Sequence, residues 1–407
     1  MNNAAIVCKI KNVRPHPNAD RVQLGTACGY QVVIGLDIKE GDEGVYFPTD
    51  TRLGASFAEH NPELLTYFGK NLRVRTQKFR GERSEGFWVP VETISFLPKS
   101  AYILGSELVT VQGLEVCAKY VNPATQRFQK TGGRGKRFRS GSLPTFQKHT
   151  ETDQLRRYWD ELHDMPGDRI YTLKVHGTSG RTGHVLVDRK LSLVDRLLIK
   201  LGVPVQKTEY QYLTGSRNVI LEKGKNTDSW YPEAFRERAA KPFMDNLHKG
   251  EVVYYEIVGY SEPNKPIMAT VSVNDKELKK QYGDKVTYTY GCANGQYAVY
   301  VYRIAYQTEQ GISTDLTWAD VKRRCRELGV RHVPEVSYLN EKDMVLFDDI
   351  EAYIDNPDPL DSSHPTEGIV LRIDGSTPKL YKEKSYVFKV LEGFNLDAGV
   401  VDIEEAS

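Results

Sequence analysis

Over the first hundred or so residues, apolar and polar positions alternate with the period of short β-strands. Ile6-Val7-Cys8-Lys9-Ile10 alternates, and Pro15-His16-Pro17-Asn18-Ala19-Asp20 follows as a cluster of turn formers. Tyr30 to Gly35 and Glu43 to Pro48 read as two further strands, parted by the polar loop Lys39-Glu40-Gly41-Asp42. Leu72 to Thr76 and Gly86 to Val91 add two more. Short strands this closely spaced predict a small closed barrel. A capped helix is expected across residues 150–163, with Thr150 or Thr152 as N-cap and acids in its first turn. From Arg169 onward, strand and helix patterns mix. A helix runs from Leu316 to Leu328 and is closed by Gly329. Pro357 and Pro359 break the chain before a last strand-rich stretch. The pattern therefore predicts an α+β chain: a small β-barrel followed by a larger region of mixed strands and helices.

Composition narrows the functions open to it. The chain has 407 residues, 55 Lys+Arg against 54 Asp+Glu, and a net charge of +1. That length suits two to three domains. A balanced charge excludes nucleic-acid binding by bulk positive charge, so any such binding must come from local patches. One patch exists: Arg127, Lys130, Arg134, Lys136, Arg137 and Arg139 occur with no acid among them, in a glycine-rich stretch that also carries Phe128 and Phe138. It reads equally as a solvated loop and as a contact for a phosphate backbone. No apolar run is long enough to span a bilayer, and the N-terminus lacks a signal-peptide pattern, so an intracellular, soluble, cytoplasmic protein without a membrane partner is expected. Five scattered cysteines and the absence of paired histidines argue against a disulfide scaffold or a zinc module.

The candidate chemistry lies in the second half. Lys174-Val175-His176-Gly177-Thr178 follows the plausible strand Ile170 to Leu173. A lysine leaving a strand beside a glycine can approach a phosphate closely, and it attacks phosphorus only as the neutral amine. A surface lysine is the ordinary alternative. Glu367 stands at the mouth of the apolar strand Gly368 to Arg372. Lys382 and Lys384, two apart, share one face of a strand. Their mutual repulsion is tolerable on a solvated edge or around a polyphosphate.

In order, these segments resemble the covalent nucleotidyltransferase superfamily of polynucleotide ligases and capping enzymes, and most of all its nick-sealing, RNA ligase 2-like branch. Lys174 to Thr178 is similar to the family's first motif. Thr214-Gly215-Ser216-Arg217, Tyr255 to Gly259, Tyr300 to Ile304, Glu367 to Arg372 and Lys382-Glu383-Lys384 are similar to the motifs that follow it. The likeness covers about residues 150–392, although the interval between Gly259 and Tyr300 is longer than in the phage relatives. Ahead of it, the PHPNADR string and the VVIG that follows look like the OB modules of tRNA-binding proteins. DNA ligases and capping enzymes carry an OB domain after the last motif, where this sequence offers only residues 385–407.

The resemblance implies three parts: an OB-like nucleic-acid-binding domain over 1–121, a basic linker over 122–147, and a ligase-type adenylyltransferase domain over 148–407. It implies an ATP-dependent RNA ligase joining 3′-OH and 5′-phosphate ends through lysyl-AMP and RNA-adenylate, at nicks or breaks in structured RNA. ATP and Mg²⁺ or Mn²⁺ would be its cofactors, and RNA its partner, with no obligate protein partner; the gene would be cellular or viral. Lys174 would be the nucleophile, Glu367 the metal ligand, and Lys382 and Lys384 the catalytic cations. His176, Gly177, Arg217, Glu256, Tyr302 and Arg372 would bind the nucleotide: Glu256, preferred over Glu251, at the ribose, and Tyr302 on the adenine. Arg156, Arg157, Arg134, Lys136, Arg137 and Arg139 would contact RNA. The competing expectation is a non-enzymatic RNA-binding protein with a decayed catalytic domain.

Overall fold

The computed structural model describes residues 3–69, 71–131, 143–162, 164–221, 231–232, 235–375 and 377–401. The chain divides into two units. One comprises Met1–Asn122, Asp153–Met165 and Tyr386–Asp397. The other comprises Pro123–Thr152, Pro166–Ser385 and Ala398–Ser407.

The first unit is built from short antiparallel strands. Glu107–Leu108, Ala5–Lys9, Glu43–Phe47 and Phe87–Pro90 form one sheet, in that order. Lys11–Pro15, Gln23–Ala27 and Tyr30–Ile34 form a second, and Thr76–Phe79 pairs with Glu82–Glu85 as a hairpin. Alternation puts Ala5, Val7, Val45, Phe47 and Val89 into one core, with Phe57 and Phe68. Ile6, Tyr46 and Trp88 point the other way into a second core, with Val32 and Ile34. The expected strand at Leu72–Thr76 does not form. Leu72 takes φ +51°. Arg73 is buried and ion-paired with Asp50 at 2.7 Å and Asp397 at 3.1 Å, so this alternation marks a buried charge rather than a strand face. The helix expected from Thr150 begins at Leu155 and ends at Leu162. It joins this unit, as does the helix Tyr386–Asp397, whose Lys389 reaches Glu85 at 2.7 Å.

The second unit is sheet-rich with flanking helices. Its large antiparallel sheet runs Ile220–Leu221, Thr208–Gly215, Thr178–Asp188, Glu251–Glu262, Tyr297–Gln307, Ser313–Asp315. The middle strands are long and almost wholly buried, because both faces are covered. Val185, Val252, Tyr254 and Ala305 pack on one side with Phe146. On the other side Tyr255 stacks on Phe243 at 4.8 Å. A smaller antiparallel sheet carries Arg169–Lys174, Gly368–Ile373 and Lys379–Lys384. The helix Trp318–Leu328 is capped by the Thr317 side chain and stopped by Gly329 at φ +65°, as the pattern predicts. Among the described residues no helix is long and apolar enough to cross a membrane.

Candidate active site

The small sheet brings three distant stretches into one row. Lys174 lies opposite Gly368, and Gly368 lies opposite Lys384. One step further in, Thr172, Val370 and Lys382 are aligned the same way, so Lys174, Lys382 and Lys384 share a face. The middle of the row has to be glycine. Gly368 has φ +150°, and a Cβ there would meet the Glu383 carbonyl oxygen at 2.0 Å.

Glu367 precedes that glycine and is 2% exposed on its side chain; its Oε1 accepts from the Lys174 ammonium at 2.7 Å. Its Oε2 is buried with no partner among the described residues. Burial alone would raise the carboxyl's pKa, but Lys174, His176 and Lys384 overcome it and hold Glu367 below its ordinary value. Lys382 shows the opposite balance. Burial first, then the charges of Lys384, Lys174 and Arg217, lower its pKa to about 7, with Glu367 opposing. The cluster thus holds more positive charge than its single carboxylate neutralises, which is a receptor for a polyanion.

Two loops complete it. Gly177 passes so close to the strand Glu251–Glu262 that a Cβ would meet the Ile257 carbonyl oxygen at 2.3 Å and Glu256 Cγ at 3.0 Å. That packing sets Ser179 opposite Glu256, and the Ser179 hydroxyl donates to Glu256 at 3.2 Å. The His176 N–H donates to the Tyr290 hydroxyl, and its ring meets Tyr288 edge-on at 4.9 Å. Arg217 sits on a tight turn closed by Ser216, which binds Val219 through backbone and side chain.

Other expected residues have other partners. Tyr302 occupies a bulge, since Val301 pairs with Tyr255 and Arg303 with Tyr254. Its hydroxyl meets His149 Nδ1. No described contact links it to Lys174. Around His149 stand Arg181, Arg217, Arg303 and Arg236, and burial with these charges pushes the imidazole well below its ordinary pKa. Arg372 is buried and bound to Asp374 and the Leu316 carbonyl. Glu251, the alternative to Glu256, is locked by Arg324 at 2.8 and 3.0 Å. Arg156 belongs to the first unit, where it donates to the Gly29 carbonyl at 3.3 Å and covers the Tyr30 ring; Arg157 pairs with Glu107 at 2.7 Å. Arg134, Lys136, Arg137 and Arg139 lie outside the described residues. Sequence reasoning did not single out Tyr290, Tyr288, His149 or Arg181. The repeated aromatics of Thr287-Tyr288-Thr289-Tyr290-Gly291 were the only local signal for the two tyrosines.

An OB-fold domain family matches residues 4–91. No curated protein matches the sequence. Among solved structures, the chain is similar in fold to the RNA ligase of Naegleria gruberi. A variant of that enzyme with AMP and manganese aligns at 17% identity and TM-score 0.64, over 95% of this chain and 98% of the other. A variant with ATP and manganese aligns at 17% and 0.63, over the same shares. The form with pyrophosphate aligns at 16% and 0.63, over 95% and 97%. The likeness is one of fold: an N-terminal OB domain followed by a sheet-rich domain of the same architecture.

Proposed function

We propose that the chain is an ATP-dependent RNA ligase that joins 3′-OH and 5′-phosphate ends of RNA through lysyl-AMP and RNA-adenylate intermediates. The observation that carries this reading is the row Lys174–Gly368–Lys384, with Glu367 and Lys382 against it. A single amine stands among cations and beside one carboxylate with an open oxygen, which suits attack on a nucleotide phosphate. The solved structures of similar fold hold ATP, AMP and pyrophosphate, the substrate, the transferred group and the leaving group of such a first step.

Lys174 attacks the α-phosphorus as the free amine; the N–P bond forms and the bond to pyrophosphate breaks. For that the Lys174–Glu367 pair must open. Lys382, Lys384 and Arg217 neutralise charge on the phosphates as it shifts toward the leaving group. Glu256 receives the ribose, and Gly177 lets the nucleophile loop pack close against the strand that carries it. The donor set fits a divalent cation of the Mg²⁺ or Mn²⁺ kind. Glu367 Oε2 is a buried carboxylate oxygen without a partner among the described residues, and such ions are held by one or two carboxylates together with substrate phosphates. When bound, the ion would neutralise phosphate charge. AMP then passes to an RNA 5′-phosphate, and the RNA 3′-OH displaces it.

The OB unit and the basic stretch 122–147 serve to hold RNA by its backbone, and the substrates are nicks or breaks in structured RNA. Incubation with α-labelled ATP and denaturing electrophoresis tests the adenylation step. Covalent label on the wild-type chain and none on Lys174→Ala are expected. Label surviving in the variant would sink the assignment, and no label on either chain would favour an RNA-binding protein with an inactive second unit.

A further inference from the structure

We propose that Tyr290 is a positioning residue for the nucleophile loop, fixing through the His176 N–H the direction in which Lys174 leaves its strand. The inference rests on the lysyl-AMP reading. The loop Val175–Gly177 joins the strand that ends in Lys174 to the strand that begins at Thr178. Gly177 pins one end of it against the Ile257 carbonyl. The other hold is the Tyr290 hydroxyl, which accepts from the His176 N–H. The Tyr290 hydroxyl is buried and His176 is half-buried, so the bond is partly shielded from water.

A second, independent observation points the same way. Tyr290 has φ +52°, a region that bulky L-residues seldom occupy and that costs energy wherever it persists. The surroundings enforce it. On one side of Tyr290, Thr289 donates its hydroxyl to Asp361 Oδ2. On the other side, the Gly291 N–H donates to the same oxygen at 3.0 Å. Partial burial would raise the Asp361 carboxyl, yet these bonds and those from Ser363 hold it low, so it stays an acceptor. Both tyrosine rings rest on buried His364, Tyr288 at 4.9 Å and Tyr290 at 4.6 Å. Burial, reinforced by Glu367 and Asp358, keeps the Tyr290 hydroxyl protonated. The strap Thr289–Gly291 therefore spends backbone strain on aiming one hydroxyl at the loop that carries the nucleophile.

The test is Tyr290→Phe in the full-length chain, which keeps the ring and removes the hydroxyl. Single-turnover adenylation at saturating ATP should slow by roughly 10- to 100-fold, with little change in the ATP concentration needed for half-maximal rate. Sealing of a strand that already carries AMP does not use the Lys174 amine as nucleophile, and it should fall by less than about threefold. Equal rates in variant and wild type would overturn the proposal. So would an equal drop in both reactions, the mark of a merely structural residue. A wild-type chain that takes no label would overturn the underlying reading instead, which keeps the two failures distinct. If circular dichroism shows Tyr290→Phe unfolded, Thr289→Val loosens the same strap. Slowed adenylation with intact sealing is again expected, and an unchanged ratio of the two rates overturns the proposal.

Discussion

Two glutamates of the second unit invite comparison. Glu251 and Glu367 are both buried, both flank an apolar strand and both pair with a cation. Glu251 is saturated. Arg324 grips its two oxygens at 2.8 and 3.0 Å, and the His248 N–H adds 2.8 Å. Bonding to Glu251 raises the Arg324 pKa against the effect of burial. Glu367 is left unsaturated. Lys174 holds one oxygen and the other has no partner among the described residues; Lys384, Lys382 and His176 add positive charge around it, while burial pushes the neighbouring Asp358 carboxyl up to about 7. A fork that fills every lone pair belongs to the scaffold, whereas a pair held by one flexible ammonium can open. The difference separates a structural carboxylate from one with a coordination position to offer.

The largest effect should come from exchanging their fates. Glu367→Ala should lower both adenylation and sealing by about a hundredfold or more, with the fold retained by circular dichroism. Unchanged activity at limiting Mg²⁺ would make Glu367 as structural as Glu251. Conversely, Glu251→Ala leaves Arg324 buried without its main partner. It should cost about 3–5 kcal/mol in urea unfolding, while the chains that remain folded adenylate normally. Loss of adenylation without loss of stability would erase the contrast.

A middling effect concerns pH. Lys382 titrates near 7 when folded and near its ordinary value of 10.5 when unfolded. The unfolded chain therefore binds more protons between those limits. Stability should rise with pH across that window, and the full penalty of the buried charge is present below about 7. A bound triphosphate favours the charged form. ATP binding at pH 8 should then take up protons, detected as a dependence of calorimetric heat on buffer ionisation enthalpy. Lys382→Met should abolish the uptake, and uptake persisting in that variant would assign it elsewhere.

The smallest effect concerns the basic stretch. Arg134, Lys136, Arg137 and Arg139 changed together to Ala should weaken RNA binding and flatten its salt dependence by roughly 0.7 to 0.9 per lost phosphate contact. Binding of nicked RNA with an unchanged salt slope would make the stretch a solvated loop.

Much of this was legible in the sequence because the relevant residues sit at strand ends. Lys174 and Lys384 end their strands, Glu367 precedes one and Lys382 lies two residues in from Lys384 on the same face, and β-register converts these separate stretches into one row. The barrel strands were legible for the same reason, through period-2 alternation. Leu72–Thr76 misled because its pairing stops at a single bridge, Arg52 to Arg73, and the alternating position there holds a buried ion-paired arginine. The one-residue bulge at Tyr302 is announced by no local pattern. Tyr290 escaped because its role depends on a contact 114 positions away in sequence and on a left-handed backbone that glycine or asparagine would have signalled. The Glu251–Arg324 fork likewise spans 73 positions, so periodicity around either residue could not separate it from Glu367.

The central claim is that Lys174 carries the covalent nucleotide, and it is tested most directly by finding the bond. The wild-type protein, incubated with ATP and Mg²⁺ and digested under conditions that preserve phosphoramidates, should yield one AMP-bearing peptide. Fragmentation should place the adduct on Lys174 Nζ, and acid should release it as expected for a P–N bond. An adduct on another residue, or an unmodified Lys174 peptide beside turned-over ATP, would contradict the account.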